Sequence, residues 1–138
     1  MIRITREDFS VDETIRKMRT DEMGAVATFV GVVRGESKGR KVDHIEVQAY
    51  EEMAMKQLQA IEKRAVEKFG VRSVTVIHRI GSLNVSENIM LIAVGAGHRR
   101  EAFDACRYIL EQIKKMVPIW KKEYTPDGSY WVEEKHDD

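Results

Sequence analysis

The chain has 138 residues, with 23 Lys plus Arg balanced by 23 Asp plus Glu and a single cysteine. That length suits one domain over 1–138 with a real core and no need of a disulfide or metal to hold it. The balanced charge removes any global electrostatic case for a nucleic-acid or membrane partner, and one cysteine excludes an internal disulfide.

In chain order, Ile2 to Ile4 reads as a short strand. Ser10 with Glu13 three residues on forms a capping-box pattern that starts a first helix, ending near Arg19. Gly24 releases AVATFVGVV, Ala25 to Val33, a β-branched run expected to be a buried strand ending on Arg34. Gly35 to Lys41, GESKGRK, reads as a flexible basic loop. Ile45, Val47 and Ala49 then alternate with polar residues, the period of a half-buried strand ending at Tyr50. Glu51 to Phe69 is predicted as a long helix with Met53, Leu58, Ile61, Ala65 and Phe69 inward and Gly70 closing it.

Val71 to Ile80 is predicted as a strand, Gly81 and Asn84 to Asn88 as turn, and Ile89 to Val94 as a strand. The run IMLIAV is more apolar than a one-sided strand needs, so burial on both faces or against a second protomer is expected. From Gly97 towards Glu123 the pattern is one amphipathic helix ended by Pro118, with Ala102, Phe103, Cys106, Ile109, Leu110, Ile113 and Val117 as its apolar stripe. Lys114 projects to the edge of that stripe, beside Leu110 and Phe103, whereas Lys115 projects to solvent. Lys121 and Lys122 follow in a short extended turn. Thr125 to Gly128 is a turn before a last strand, Tyr130 to Val132, and Glu133 to Asp138 is a polar tail expected to fray. Several strand-to-strand links are too short for parallel crossovers, so the fold class is α+β with mostly antiparallel pairing and three main helices.

Chemistry has to come from local clusters. His44, His78, His98 and His136 are scattered without ligand spacing, so neither a metal site nor a resident cofactor is expected. No stretch is long and apolar enough to cross a membrane and MIRITRED lacks a signal-peptide apolar region, so a cytoplasmic location is expected. Three cationic groups stand beside glycine turns or helix ends: Arg34, the pair His98 and Arg99, and Lys114 with Lys121 and Lys122. Each alone fits a bland role, as a solvated strand end, a first-turn residue or dipole compensation. Together they describe a site for an anionic small ligand, in which a lysine among other cations has a neutral amine available for nucleophilic or general-base work.

GAVATFVGVVRG at Gly24 to Gly35, VTVIHRIGSL at Val74 to Leu83, GHRREAFDA, KKMVPIWKKE and the closing GSYWVE occur in this order across nearly the whole chain. In these motifs the sequence resembles the large, catalytic subunit of molybdopterin synthase. The resemblance implies an α/β-hammerhead type of fold. It also implies a sulfurtransferase reaction, in which precursor Z, the cyclic pyranopterin monophosphate, gains two sulfurs and becomes molybdopterin. Sulfur would come from a small ubiquitin-like subunit with a C-terminal Gly-Gly thiocarboxylate. The assembly implied is a central homodimer with one small subunit at each end, a heterotetramer.

Carried onto this sequence, the resemblance implies Lys114 and Lys121 as the catalytic pair. It implies substrate contacts by Val32, Val33 and Arg34, by His98 and Arg99, and by Lys121, Lys122 and Glu123, with any contact at apolar Val32 made through the backbone. The competing classes are an RNA- or nucleotide-binding module and a protein that only docks a ubiquitin-like domain. Phe29, Trp120 and Tyr124 are not spaced as a stacking platform, which counts against the first.

Overall fold

The computed structural model describes residues 1–132, so the tail Glu133 to Asp138 lies outside the described residues. Ten strands and three helices follow one another there: β1 (Ile2–Thr5), α1 (Val11–Met18), β2 (Ala25–Val32), β3 (Glu36–Ser37), β4 (Arg40–Lys41), β5 (His44–Ala49), α2 (Glu51–Phe69), β6 (Ser73–Arg79), β7 (Gly81–Asn84), β8 (Asn88–Ala96), α3 (Arg99–Met116), β9 (Ile119–Thr125) and β10 (Gly128–Trp131). The helix boundaries have local causes. Ser10 accepts a hydrogen bond from the Glu13 amide, 3.1 Å, at the start of α1. Gly70 ends α2 at φ +66°, in the left-handed region, and its amide donates to the Val66 carbonyl.

One sheet has the order β1-β6-β8-β2, and β1 lies parallel to β6 while the other pairs are antiparallel. A second, wholly antiparallel sheet has the order β10-β9-β5-β7, and β3 with β4 makes a small separate hairpin. Helices α2 and α3 pack together on one face of the first sheet, and α1 covers the other. Strand β8 is therefore buried on both sides, as the two-residue alternation requires. Met90, Ile92 and Val94 join the large core with Leu58, Ile61 and Ile109, whereas Leu91 and Ala93 join Ile77 under Phe9, Val11 and Met18. The apolar excess of IMLIAV is thus covered within the chain by α1, and that run by itself requires no second protomer.

Other expectations change in detail. Val117 is extended (φ −83°, ψ 127°), as a residue before proline prefers, and α3 stops at Met116. What the sequence suggests as a short extended turn after Pro118 is the seven-residue strand β9, hydrogen-bonded between β5 and β10. Gly81 and Asn84 bound a strand, β7, where turn chemistry dominated the reading; its register with β5 buries Leu83 against the core. Phe103 is 67% exposed and Met53 43% exposed, although both were expected inward. Ala54, one position on, takes the buried place on α2, and Ala105 takes it on α3.

A cationic cleft between helix end and sheets

Lys114 stands in the last turn of α3, half-buried next to buried Ile113, while Lys115 is exposed. The turn at Pro118 then folds β9 back so that alternate residues Lys121 and Glu123 face the same cleft as Lys114. Lys122 points to the other face of the strand, with its ammonium over the rings of Trp131 at 5.2 Å and Tyr124 at 5.8 Å. The structure accordingly brings Lys121 and Glu123 to the cleft and leaves Lys122 outside it.

The opposite wall comes from the end of β2. The register with β8 shifts between Gly31 and Val32, an irregularity that re-aims the strand end. Val32 is 52% exposed, Val33 is buried, and both line the cleft with Arg34. The Val33 amide donates to the Glu87 carbonyl and its own carbonyl accepts from Ser86, which fixes this corner. The cleft has a volume of about 330 Å³, and Phe29, Ile45 and Met90 contribute its apolar lining. Arg34 lies 3.6 Å from the Glu123 carboxylate through Nε and donates from Nη2 to Ser37 Oγ at 3.1 Å. Three cations against one carboxylate leave the cleft positive, so an anionic group is the ligand chemistry it favours.

A larger adjoining cleft of about 520 Å³ shares Phe29 and Lys114 and runs along α3 past Leu110, Cys106 and Phe103. Here lies the purpose of the exposed Phe103: it walls a groove instead of filling the core. The helical projection that set Lys114 beside Leu110 and Phe103 already carried this signal, whereas the lining by Phe29, Ile45 and Met90 depends on strand register and was not foreseen. Burial pushes the Cys106 thiol from 9.0 up to about 11, so it is a protonated, weakly nucleophilic group at neutral pH. Among the described residues no three His, Cys, Asp or Glu side chains gather as a metal site, and no helix is long and apolar enough to cross a membrane.

His98 and Arg99 are not in this cleft. They stand at the opposite end of α3, sixteen and fifteen residues from Lys114, which at 1.5 Å per residue is about 24 Å. His98 occupies the N-cap position in extended conformation with no side-chain cap bond, is highly exposed, and has Nδ1 3.6 Å from Glu101 Oε2. Arg99 is also exposed. One chain therefore presents two cationic ends of one helix: a cleft with Lys114, Lys121 and Arg34, and an open helix start with His98 and Arg99.

This combination defines an α+β protein with a cationic cleft whose two lysines come from a helix end and the strand that follows it. The family model described as MoaE protein matches residues 4–116, and the chain belongs to the MoaE family. It is 43% identical over 127 residues to the molybdopterin synthase catalytic subunit of Pyrococcus abyssi, covering 92% of this chain and 86% of that one. To the molybdopterin synthase catalytic subunit of Bacillus subtilis it is 40% identical over 129 residues, covering 94% and 82% respectively. Among solved structures, molybdopterin synthase from Staphylococcus aureus superposes with a TM-score of 0.89 at 39% identity, over 95% of this chain and 96% of that one. A complex of subunits 1 and 2 of the molybdopterin-converting factor from Helicobacter pylori contains a chain of the same fold, with a TM-score of 0.79 at 20% identity and coverage of 97% and 91%.

Proposed function

We propose that this chain is the catalytic component of molybdopterin synthesis, a sulfurtransferase that converts precursor Z into molybdopterin within the cytoplasm, acting as one domain over 1–138. The observation that carries the reading is the shared cleft of Lys114, Lys121 and Arg34, in a member of a family whose relatives are molybdopterin synthase catalytic subunits. The sulfur donor is a small ubiquitin-like subunit whose C-terminal Gly-Gly thiocarboxylate enters the cleft. Its sulfur attacks a side-chain carbon of the substrate as the carbon–oxygen bond there breaks and the oxygen leaves with a proton, so the tail is left bound to that sulfur as a thioester. Water attacks the thioester carbonyl, the C–S bond breaks, the small subunit departs as a carboxylate, and the sulfur stays on the substrate. A second charged subunit repeats the transfer at the neighbouring side-chain carbon, with the oxygen there leaving as water, to complete the dithiolene.

Lys114 moves a proton or stabilises charge at the reacting carbon and Lys121 supports the developing charge, while Arg34 and Glu123, with the backbone of Val32 and Val33, orient the substrate. Lys122 contributes from the far face of β9 by holding Tyr124 and Trp131 in place behind Lys121. His98 and Arg99 also bind substrate phosphate; because His98 stands about 24 Å from Lys114 along α3, at 1.5 Å per residue, the reading has them serve the cleft of a second copy, in a homodimer carrying a small subunit at each end.

The test is to incubate the purified chain with thiocarboxylated small subunit and precursor Z and assay dithiolene product. Product that requires both chains is expected. Tight binding of the small subunit with no product would instead indicate a docking protein and overturn the proposal.

A further inference from the structure

His78 lies on β6, is 2% exposed, and takes no part in the cleft described above. Its Nδ1 is 2.9 Å from the carbonyl oxygen of Arg79. A carbonyl can only accept, so Nδ1 carries a hydrogen and donates it. His78 also lines a small space of about 30 Å³ whose remaining walls are Met90, Ile113, Val117, Ile119 and the two cleft lysines, Lys114 and Lys121. This is room for one water molecule, placed behind the cleft lysines.

The protonation state follows from the surroundings. With Nδ1 committed to Arg79, the ring's remaining polar atom is Nε2. Protonation there would put a third positive charge in a space lined by two ammonium groups, which repel it. Neutral imidazole with its hydrogen on Nδ1 avoids that repulsion and leaves an Nε2 lone pair as acceptor. Lysine ammonium groups are pure donors, so the match is complementary. Among the described residues the buried side-chain polar atoms without a partner are Arg40 Nε and Arg79 Nε, and neither His78 nitrogen is among them.

We propose that His78 is a positioning residue for the lysine pair: its Nε2 lone pair, directly or through one water in the shared space, holds the ammonium groups of Lys114 and Lys121 at the back of the cleft. This rests on the catalytic reading of that pair. Both lysine side chains are long, and an acceptor at their inner end removes rotamer freedom that would otherwise have to be lost on the way to the transition state. His78 is itself held by β-pairing on both sides, opposite Ile4 of β1 and Met90 of β8, so the acceptor is rigid.

The experiment compares His78→Leu, which roughly keeps the volume and removes the acceptor, with His78→Gln, which can donate to Arg79 and accept at its carbonyl oxygen. Both are assayed with charged small subunit and precursor Z beside the unaltered chain, and nitrogen NMR of the unaltered chain reads the imidazole tautomer. His78→Leu should lower kcat by about 10- to 100-fold while KM for precursor Z stays within about twofold, and His78→Gln should recover most of the loss. A folded His78→Leu chain with unaltered kcat, or a spectrum showing hydrogen on Nε2, would overturn the proposal. The NMR result decides it even where His78→Leu does not fold. An unaltered chain that forms no product would instead refute the catalytic reading, so the two failures are distinguishable.

Discussion

The Nε of Arg34 lies 3.6 Å from Oε2 of Glu123, and the two partners live in different solvents: Arg34 is 60% exposed at the end of β2, whereas Glu123 is 8% exposed within β9. A pair so placed adds little to stability, because water screens the arginine. A double-mutant cycle of Arg34→Met and Glu123→Gln, read by denaturant unfolding, should give a coupling of about 0.2–1 kcal/mol. Turnover should fall much further than this in Arg34→Met, since the same guanidinium faces the anion site. Equal losses in stability and turnover would place Arg34 in the scaffold alone.

Lys114 and Lys115 separate chemistry from charge. They are adjacent but about 100° apart around α3; Lys114 lines the cleft and Lys115 is exposed. Lys114→Ala should reduce turnover by roughly 10²- to 10⁴-fold, and Lys115→Ala should stay near the unaltered rate. Lys114→Arg keeps the charge without an amine able to deprotonate, and should bind precursor Z yet turn over poorly. Near-normal single-turnover rates for Lys114→Arg would pass the proton-transfer role to Lys121.

Two subunits with complementary lesions test the assignment of His98 and Arg99. A chain with Lys114→Ala and a chain with Arg99→Ala should each be nearly inactive alone. Co-refolded, they should regain up to about a quarter of the activity if each cleft draws its helix start from the partner, since half the pairs are mixed and each mixed pair holds one intact cleft. No recovery in a verified mixed dimer would show that Arg99 does not serve the cleft of a second copy.

Cys106 gives the pH dependence its sign. Its folded pKa, about 11, is raised by burial above the 9.0 of an open thiol. The unfolded chain therefore loses its proton first, and stability contributed by this thiol is full below pH 9 and is lost as pH rises from about 9 to about 11. Two units correspond to no more than about 3 kcal/mol. Cys106→Ala should lower stability modestly at neutral pH, flatten this alkaline decline, and leave sulfur transfer intact. Equilibrium unfolding between pH 8 and pH 11 (roughly the window set by burial of the thiol) checks the first two, and the product assay the third.

Gly70 is at φ +66° where α2 ends. Gly70→Ala should cost about 1 kcal/mol through backbone strain alone, as no atom lies within 4 Å of the added methyl group. Unchanged unfolding midpoints would contradict the strain argument.

Much of this architecture was legible because its signals are local. Ser10 with Glu13, Gly70 after Phe69, and Pro118 after Val117 each set a helix end by chemistry within a few residues. The same holds for Lys114, whose place at the cleft follows from helical projection. Strands β7 and β9 were less legible because their status comes from β5, a partner distant in sequence, and GSLN and IWKKEYT carry little alternation of their own. His78 could not be singled out by any spacing. Its relation to Lys114 and Lys121 exists only once three elements, β6, α3 and β9, are packed.

Pro118 separates the two cleft lysines by folding mechanism as well as by position. Lys114 belongs to a helix whose hydrogen bonds close over four residues, whereas Lys121 is placed by pairing with Val47, more than seventy positions earlier in the chain. A partly ordered chain can therefore hold α3 intact and still have no lysine pair. On the catalytic reading of that pair, turnover depends on long-range contacts that close later than local helix, and a refolding sample followed by both signals should regain helical circular dichroism before it regains sulfur transfer.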